Sequence, residues 1–84
     1  MQISRHKVAE QIGAYLQHRI SLEQLVDWAE QQIIEADFES QNVRNAVARL
    51  GLADVREFGL TWDDCERLLG DLGFAARVDI VSVQ

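Results

Sequence analysis

The chain has a single cysteine, Cys65, and its sequence neighbours decide whether the thiol could act as a nucleophile. A reactive cysteine is a thiolate, which a nearby cation or histidine stabilises. Asp63, Asp64 and Glu66 surround Cys65 instead, and negative charges raise the pKa of a thiol. We therefore predict a small buried residue on the inner face of a helix. One cysteine also excludes an intramolecular disulfide.

Histidines and carboxylates could bind metals, but their spacing argues against it. His6 and His18 lie too far apart in the sequence for the pair of histidines one helical turn apart that holds zinc. The alternating carboxylates from Glu35 to Glu39 are similar to the start of a calcium-binding EF-hand loop. That loop needs glycine at its sixth position and glutamate at its twelfth, where this chain has Ser40 and Ala46. We predict no metal and no cofactor.

An acidic segment is the strongest charge feature of the chain. Residues 20–40 contain six carboxylates and no lysine or arginine, whereas the flanking segments carry arginines and the only lysine. On a helix, the spacing i, i+4, i+7 of the first three places them on one outer face. We predict that these carboxylates bind a basic protein partner: Glu23, Asp27, Glu30, Glu35, Asp37 and Glu39.

The polar face of the third predicted helix supports an alternative. It carries arginine and amide side chains, the residue types that pair with guanine and adenine edges, and with the second helix it could form a helix-turn-helix. The alternative is a dimeric regulator that binds nucleic acid through Gln41, Asn42, Arg44, Asn45 and Arg49. The net charge of −6 opposes phosphate binding, so we favour the protein partner.

Hydroxyl residues at cap positions predict where four helices begin. Each precedes an apolar stripe of helical period, and Ser21 with Gln24 matches the capping box. The four caps are Ser4, Ser21, Ser40 and Thr61. The predicted inner faces of the third and fourth helices are Val43, Ala46, Val47, Leu50 and Cys65, Leu68, Leu69, Leu72.

The ends of the helices are predicted from glycines and from the loss of the apolar pattern. The first helix should end at about His18. Gly51 and Gly73 predict left-handed C-terminal caps for the third and fourth helices, with the following residues, Leu52 and Phe74, packing back onto the last turn.

Two segments outside the helices have weaker patterns. Residues 52–60 are compatible with a short helical turn or with a brief strand around Val55 to Phe58. Ala75 to Val83 is rich in β-branched residues and predicts a C-terminal strand. A lone strand needs a partner for its backbone groups, so it must pair with residues 54–60 or with a second chain. Homodimerisation through Val78–Val83 by strand addition is one such arrangement.

Length and composition bound the class of protein. The 84 residues are 48% hydrophobic and contain no proline, which predicts one small domain, residues 1–84, with a packed core. The fold class predicted is α+β and mainly helical, with four short helices around one core and a C-terminal β-strand. Met1 to Val8 lack a signal-peptide pattern, and no apolar run approaches the roughly 20 residues of a membrane span. We expect a cytoplasmic protein.

The expected function is non-catalytic protein binding. No phosphate loop, catalytic triad or carboxylate dyad is present in the sequence, and an interaction module is the class that remains. In size and charge alone the chain is similar to bacterial immunity proteins and antitoxins. The two tryptophans, Trp28 and Trp62, are expected to be partly buried. A tryptophan that is exposed instead would mark a contact surface.

Overall fold

The protein is described by a computed structural model that covers residues 2–77, 80 and 82. Within them the chain forms two short strands and four helices, in the order β1 (Gln2–Ile3), α1 (Arg5–Leu16), α2 (Leu22–Glu35), β2 (Asp37–Phe38), α3 (Gln41–Leu50) and α4 (Trp62–Asp71). The predicted α+β, mainly helical class is confirmed. No helix of the described chain is long and apolar enough to cross a membrane.

All four predicted N-caps are confirmed. Each cap side chain accepts a hydrogen bond from the backbone N–H three residues later, which satisfies one of the free donors in the first helical turn. Ser21 and Thr61 also form full capping boxes, because the side chains of Gln24 and Asp64 accept from the cap N–H groups. The four caps are Ser4, Ser21, Ser40 and Thr61.

The predicted end of α4 is also confirmed. Gly73 has a φ of +88°, a left-handed conformation that glycine adopts without a β-carbon clash. Its N–H donates to the carbonyl of Gly70 at 3.0 Å, and the N–H of Phe74 donates to the carbonyl of Leu69 at 2.8 Å. These two bonds form the Schellman motif.

The predicted left-handed cap at Gly51 is wrong. Gly51 has right-handed angles, φ −65° and ψ −16°, and the next residues continue in tight right-handed turns, with Ala53 N–H donating to the Leu50 carbonyl at 3.1 Å. Leu52 is 41% exposed instead of packing back onto the helix. Continuing the turn brings Ala53 into the core, and this burial replaces the expected closure.

The left-handed cap that sequence did not predict is at His18. Helix α1 ends at Leu16, earlier than expected, and His18 has a φ of +60°. The N–H of Arg19 donates to the Ala14 carbonyl at 2.9 Å, and that of His18 donates to the Tyr15 carbonyl at 3.1 Å. This is again a Schellman motif, with histidine in the position that usually holds glycine.

The segment 52–60 forms turns and no strand. Val55 N–H donates to the Leu52 carbonyl, and both Phe58 and Gly59 donate to the Val55 carbonyl. Of the two alternatives left open for this segment, the helical turn is the one found. Residues 54–60 therefore offer no strand that could pair with the tail.

The two strands pair where none was predicted. β1 and β2 are parallel, with Gln2 opposite Asp37 and Ile3 opposite Phe38. The described tail residues, 74–77, 80 and 82, belong to no helix or strand, so the predicted C-terminal strand is not found among them. Val78, Asp79, Val81 and Val83 lie outside the described residues.

One core joins β1 to all four helices. Every residue of the predicted inner faces of α3 and α4, including Cys65, is buried. Trp28 is half-buried against the same core, as expected. Among the described residues no polar or charged residue is buried in the core. Its largest fully buried members are Ile3, Val8, Ile12, Leu25, Val26, Val43, Val47, Leu50 and Cys65.

Candidate protein-binding surface

Helix α2 presents its carboxylates as a straight stripe. The capping box at Ser21 fixes where the helix begins, and Leu25, Val26 and Ala29 are buried on the opposite face. Side chains spaced i, i+4 and i+7 then lie one above another on the outer face. We call Glu23, Asp27, Glu30 and Ile34 the α2 stripe, and all four are exposed.

Ile34 extends the carboxylate row with an apolar side chain. It follows Glu30 by four residues, on the same face, and is 83% exposed. Single exposed aliphatic side chains are common on protein surfaces, so it is the alignment of Ile34 with the carboxylate row that makes it a candidate contact point. Ile34 is not among the residues predicted from the sequence, although it lies eleven residues after Glu23 and so continues the helical spacing of the three carboxylates.

The carboxylates of the acidic segment have no cationic partner within the described chain. The three ion pairs among the described residues lie elsewhere. They join Lys7 to Glu10 at 3.4 Å, Arg49 to Asp64 at 3.4 Å and Arg67 to Asp64 at 4.0 Å. None of them involves a carboxylate from residues 20–40. Among residues 2–77, 80 and 82 no ion pair neutralises their negative charge, which can attract cations on another molecule.

Of the three carboxylates after the stripe, one ends α2 and two lie in or beside the short parallel sheet. Glu35 is the last residue of α2 and accepts a hydrogen bond from the Gln31 side chain at 3.2 Å. Asp37 lies in β2 and points to solvent. Glu39 follows β2 and donates its N–H to the Ile3 carbonyl at 3.0 Å. All three side chains are exposed, and the pairing with β1 fixes the backbone of Asp37 and Glu39 without covering their carboxylates.

The stripe borders the end of α3. The aliphatic part of Glu30 lies beside Gly51, because a β-carbon at position 51 would be 3.7 Å from Cγ of Glu30. The next residue, Leu52, is exposed. The α2 stripe therefore ends on the apolar Ile34 and, at Glu30, passes close to the end of α3, where Leu52 follows Gly51 in the sequence.

The structure brings together four of the five residues of the nucleic-acid alternative. They are exposed on α3, where Gln41 donates to the Asn45 side chain at 2.8 Å and the guanidinium of Arg44 lies 6.0 Å from the Phe38 ring centre. Asn42 and Asn45 also line a shallow cavity of about 390 Å³, and Asp71 is part of the same lining. The negative charge of Asp71 beside these amides disfavours phosphate binding.

Arg49, the fifth residue of that set, is turned away from them. Its Nη2 donates to the Gly59 carbonyl at 3.0 Å and lies 3.4 Å from the Asp64 carboxylate, while its guanidinium stacks 5.5 Å from the Phe58 ring centre. Its Nη1 is buried without a hydrogen-bond partner. The side chain therefore fastens the 52–60 turns to the start of α4.

Asp64 and Cys65 are adjacent in sequence and have shifted pKa values. The backbone N–H of Thr61 lowers the pKa of Asp64, and the Thr61 hydroxyl and Arg49 add to this, against an opposing effect of burial. Burial raises the pKa of the Cys65 thiol to about 11, and the charge of Asp64 adds to the rise. The predicted inert, buried cysteine agrees with this environment.

The two histidines lie at different places in the fold. His6 packs edge-on against Phe74, with ring centres 5.2 Å apart, and His18 forms the end of α1. No group of three or more potential ligands comes together in the described part of the chain.

Comparisons with protein-family models, with curated proteins and with solved structures find no match to this chain.

Proposed function

We propose that the chain is a non-catalytic protein-interaction module that uses the acidic surface of α2 and the following connector to bind and mask a basic protein. The observation that carries this proposal is the α2 stripe. Its three carboxylates are exposed and aligned, no lysine or arginine in the described part of the chain forms an ion pair with them, and the row ends on the exposed Ile34. We also propose a cytoplasmic location, because a lone cysteine forms none of the intramolecular disulfides that are typical of small secreted domains.

The chemistry of the stripe defines its partner. Carboxylates spaced by one helical turn suit lysine or arginine side chains presented at similar intervals, and Ile34 adds an apolar contact. Charge complementarity of this kind mainly raises the association rate and selects the partner, whereas buried apolar contacts slow dissociation. Because the carboxylates are exposed, salt should weaken the complex, since the Debye length falls from about 10 Å at 0.1 M salt to about 3 Å at 1 M.

The test compares two variants of equal charge. The stripe variant carries Glu23→Lys, Asp27→Lys and Glu30→Lys. The control variant carries Asp54→Lys, Glu57→Lys and Glu66→Lys, three exposed carboxylates outside the acidic segment. Both changes take the net charge from −6 to zero. Each immobilised protein is used to capture partners from lysate at low and high salt.

The expected result is a basic protein that binds the wild type and the control variant, elutes with salt, and is absent from the stripe variant. Equal capture by the stripe variant would show that the surface assignment is wrong. Loss of capture by both variants would mean that total charge, and not the stripe, governs binding.

The runner-up function is a dimeric nucleic-acid-binding regulator. The exposed cluster of amides around Arg44 on α3 supports it. Its affinity for a DNA duplex should fall steeply with salt, and Arg44→Ala should reduce both the affinity and the slope. A homodimer through Val78–Val83, most of which lies outside the described residues, is compatible with either function.

A further inference from the structure

A groove on the side of α1 and α4 is not used by the proposed function. It has a volume of about 510 Å³. Most of its lining side chains are apolar, but Gln17 and Arg77 also line it, and it exposes polar and apolar surface in similar amounts. Its walls are formed by α1, by α4 and by the segment that follows α4. The lining includes Ala9, Gly13 and Leu16 from α1, Trp62 and Leu69 from α4, and Phe74.

The groove leaves apolar surface uncovered. Trp62 is 39% exposed, which is a large area for a side chain of this size. At Gly13 a β-carbon would meet no atom within 4 Å, so the α1 wall is open at its centre. Exposed apolar surface that is concave and contains tryptophan is typical of a contact site.

The chain leaves the wall of the groove at Arg77 and continues with a sequence rich in β-branched residues. Ala75, Ala76 and Arg77 form part of its wall, and residues 78–84 continue from there with the sequence VDIVSVQ. Ile80 is 96% exposed. Ile80 of the same molecule therefore does not fill the groove, although it follows the lining residue Arg77 by only three positions.

We propose that the groove receives residues 78–84 of a second copy of the chain, with Ile80 of each copy entering the groove of the other. Because the tail begins at the wall of the groove, one two-fold axis can satisfy both contacts at once, and such an interface closes as a dimer. The contact buries two isoleucines and covers both copies of Trp62. It differs from strand addition, because it uses side chains and a groove.

This dimer is independent of the proposed function. No residue of the α2 stripe lines the groove, so both stripes of the dimer remain open to partners. The stripe variant should therefore dimerise as the wild type does, and failure of the partner-binding proposal would leave this one untouched.

The test measures mass by sedimentation over a concentration series from about 10 µM to about 1 mM. The wild type should approach twice the 9.6 kDa mass of one chain. Ile80→Asp changes an exposed residue and should raise the dissociation constant at least tenfold. Gly13→Leu should have the same effect, because its side chain fills the groove.

A matched control uses Gly70, another helical glycine at which a β-carbon would meet no atom within 4 Å. Gly70 does not line the groove, so Gly70→Leu should dimerise like the wild type while having a similar effect on helix propensity. Circular dichroism of each variant checks that it remains folded.

Several results would overturn the proposal. They are a monomeric wild type at every concentration, a dimer that survives Ile80→Asp, and equal behaviour of the two glycine variants. A monomeric wild type that binds the apolar dye ANS, with the binding lost in Gly13→Leu, would overturn the dimer and assign the groove to a small apolar ligand instead.

Discussion

Replacing Arg49 with alanine should destabilise the protein by about 2 kcal/mol. The side chain donates to the Gly59 carbonyl, lies beside Asp64 and stacks on Phe58. A hydrogen bond from a charged group contributes roughly 1.5–3 kcal/mol, and a partly exposed cation–π contact contributes roughly 0.5–1 kcal/mol. Relief of the unpartnered, buried Nη1 offsets part of the loss.

Chemical and thermal denaturation test this value. For a domain of this size a loss of 2 kcal/mol corresponds to a fall in Tm of about 8–16 °C. The matched control is Arg44→Ala. Arg44 is exposed and makes only a distant contact with Phe38, so its loss should change the free energy of unfolding by less than about 0.5 kcal/mol.

The comparison also separates folding from binding. Arg44 and Arg49 are the two cations of the nucleic-acid alternative, and a double substitution could abolish binding merely by weakening the fold around Arg49. Arg44→Ala alone is the clean test of phosphate binding. If Arg49→Ala and Arg44→Ala have equal stability, the assigned role of Arg49 in fastening the 52–60 turns is wrong.

Three further predictions follow from local geometry. His18→Gly should raise the free energy of unfolding by about 1 kcal/mol, because a left-handed conformation strains histidine, whereas Gly73→Ala should lower it by about 1–2 kcal/mol. The Cys65 thiol, with its pKa raised to about 11, should react with a thiol reagent at about pH 8 far more slowly in the folded protein than in denaturant. The lowered pKa of Asp64 stabilises the fold above the ordinary value of 3.8, and this contribution is lost as the pH falls below about 4.

The controls for these predictions are direct. Denaturation curves measure both glycine exchanges, and a destabilised His18→Gly variant would contradict the strain at that position. Rapid labelling of Cys65 in the native protein would contradict its burial. When the pH is lowered from about 7 to about 3, the free energy of unfolding should fall less for Asp64→Asn than for the wild type. Parallel losses in the two proteins would contradict the assigned shift.

The starts of the helices were predictable because their signals are local. A hydroxyl residue followed by an apolar stripe identified all four caps, and each bond spans only three residues. The end at Gly73 was found for the same reason. The prediction at Gly51 was wrong because burial of Ala53 favours a continued right-handed turn. That burial depends on distant parts of the core.

Features that depend on distant segments were not predictable. The β1–β2 pair joins two-residue strands from different parts of the chain, too short for an alternating pattern to identify. The groove needs α1, α4 and the start of the tail together, and Trp62 was its only sequence signal. The three stripe carboxylates were found because helical periodicity alone places them on one face, whereas Ile34 was missed because it is apolar.

The central claim, that the α2 stripe binds a basic partner, is tested most directly by the salt-dependent capture experiment with the two charge-matched variants. The account predicts that the wild type and the Asp54→Lys/Glu57→Lys/Glu66→Lys variant retain a basic protein at low salt. The Glu23→Lys/Asp27→Lys/Glu30→Lys variant should retain none. Retention of the same protein by the stripe variant, at the same salt concentration, would contradict the account.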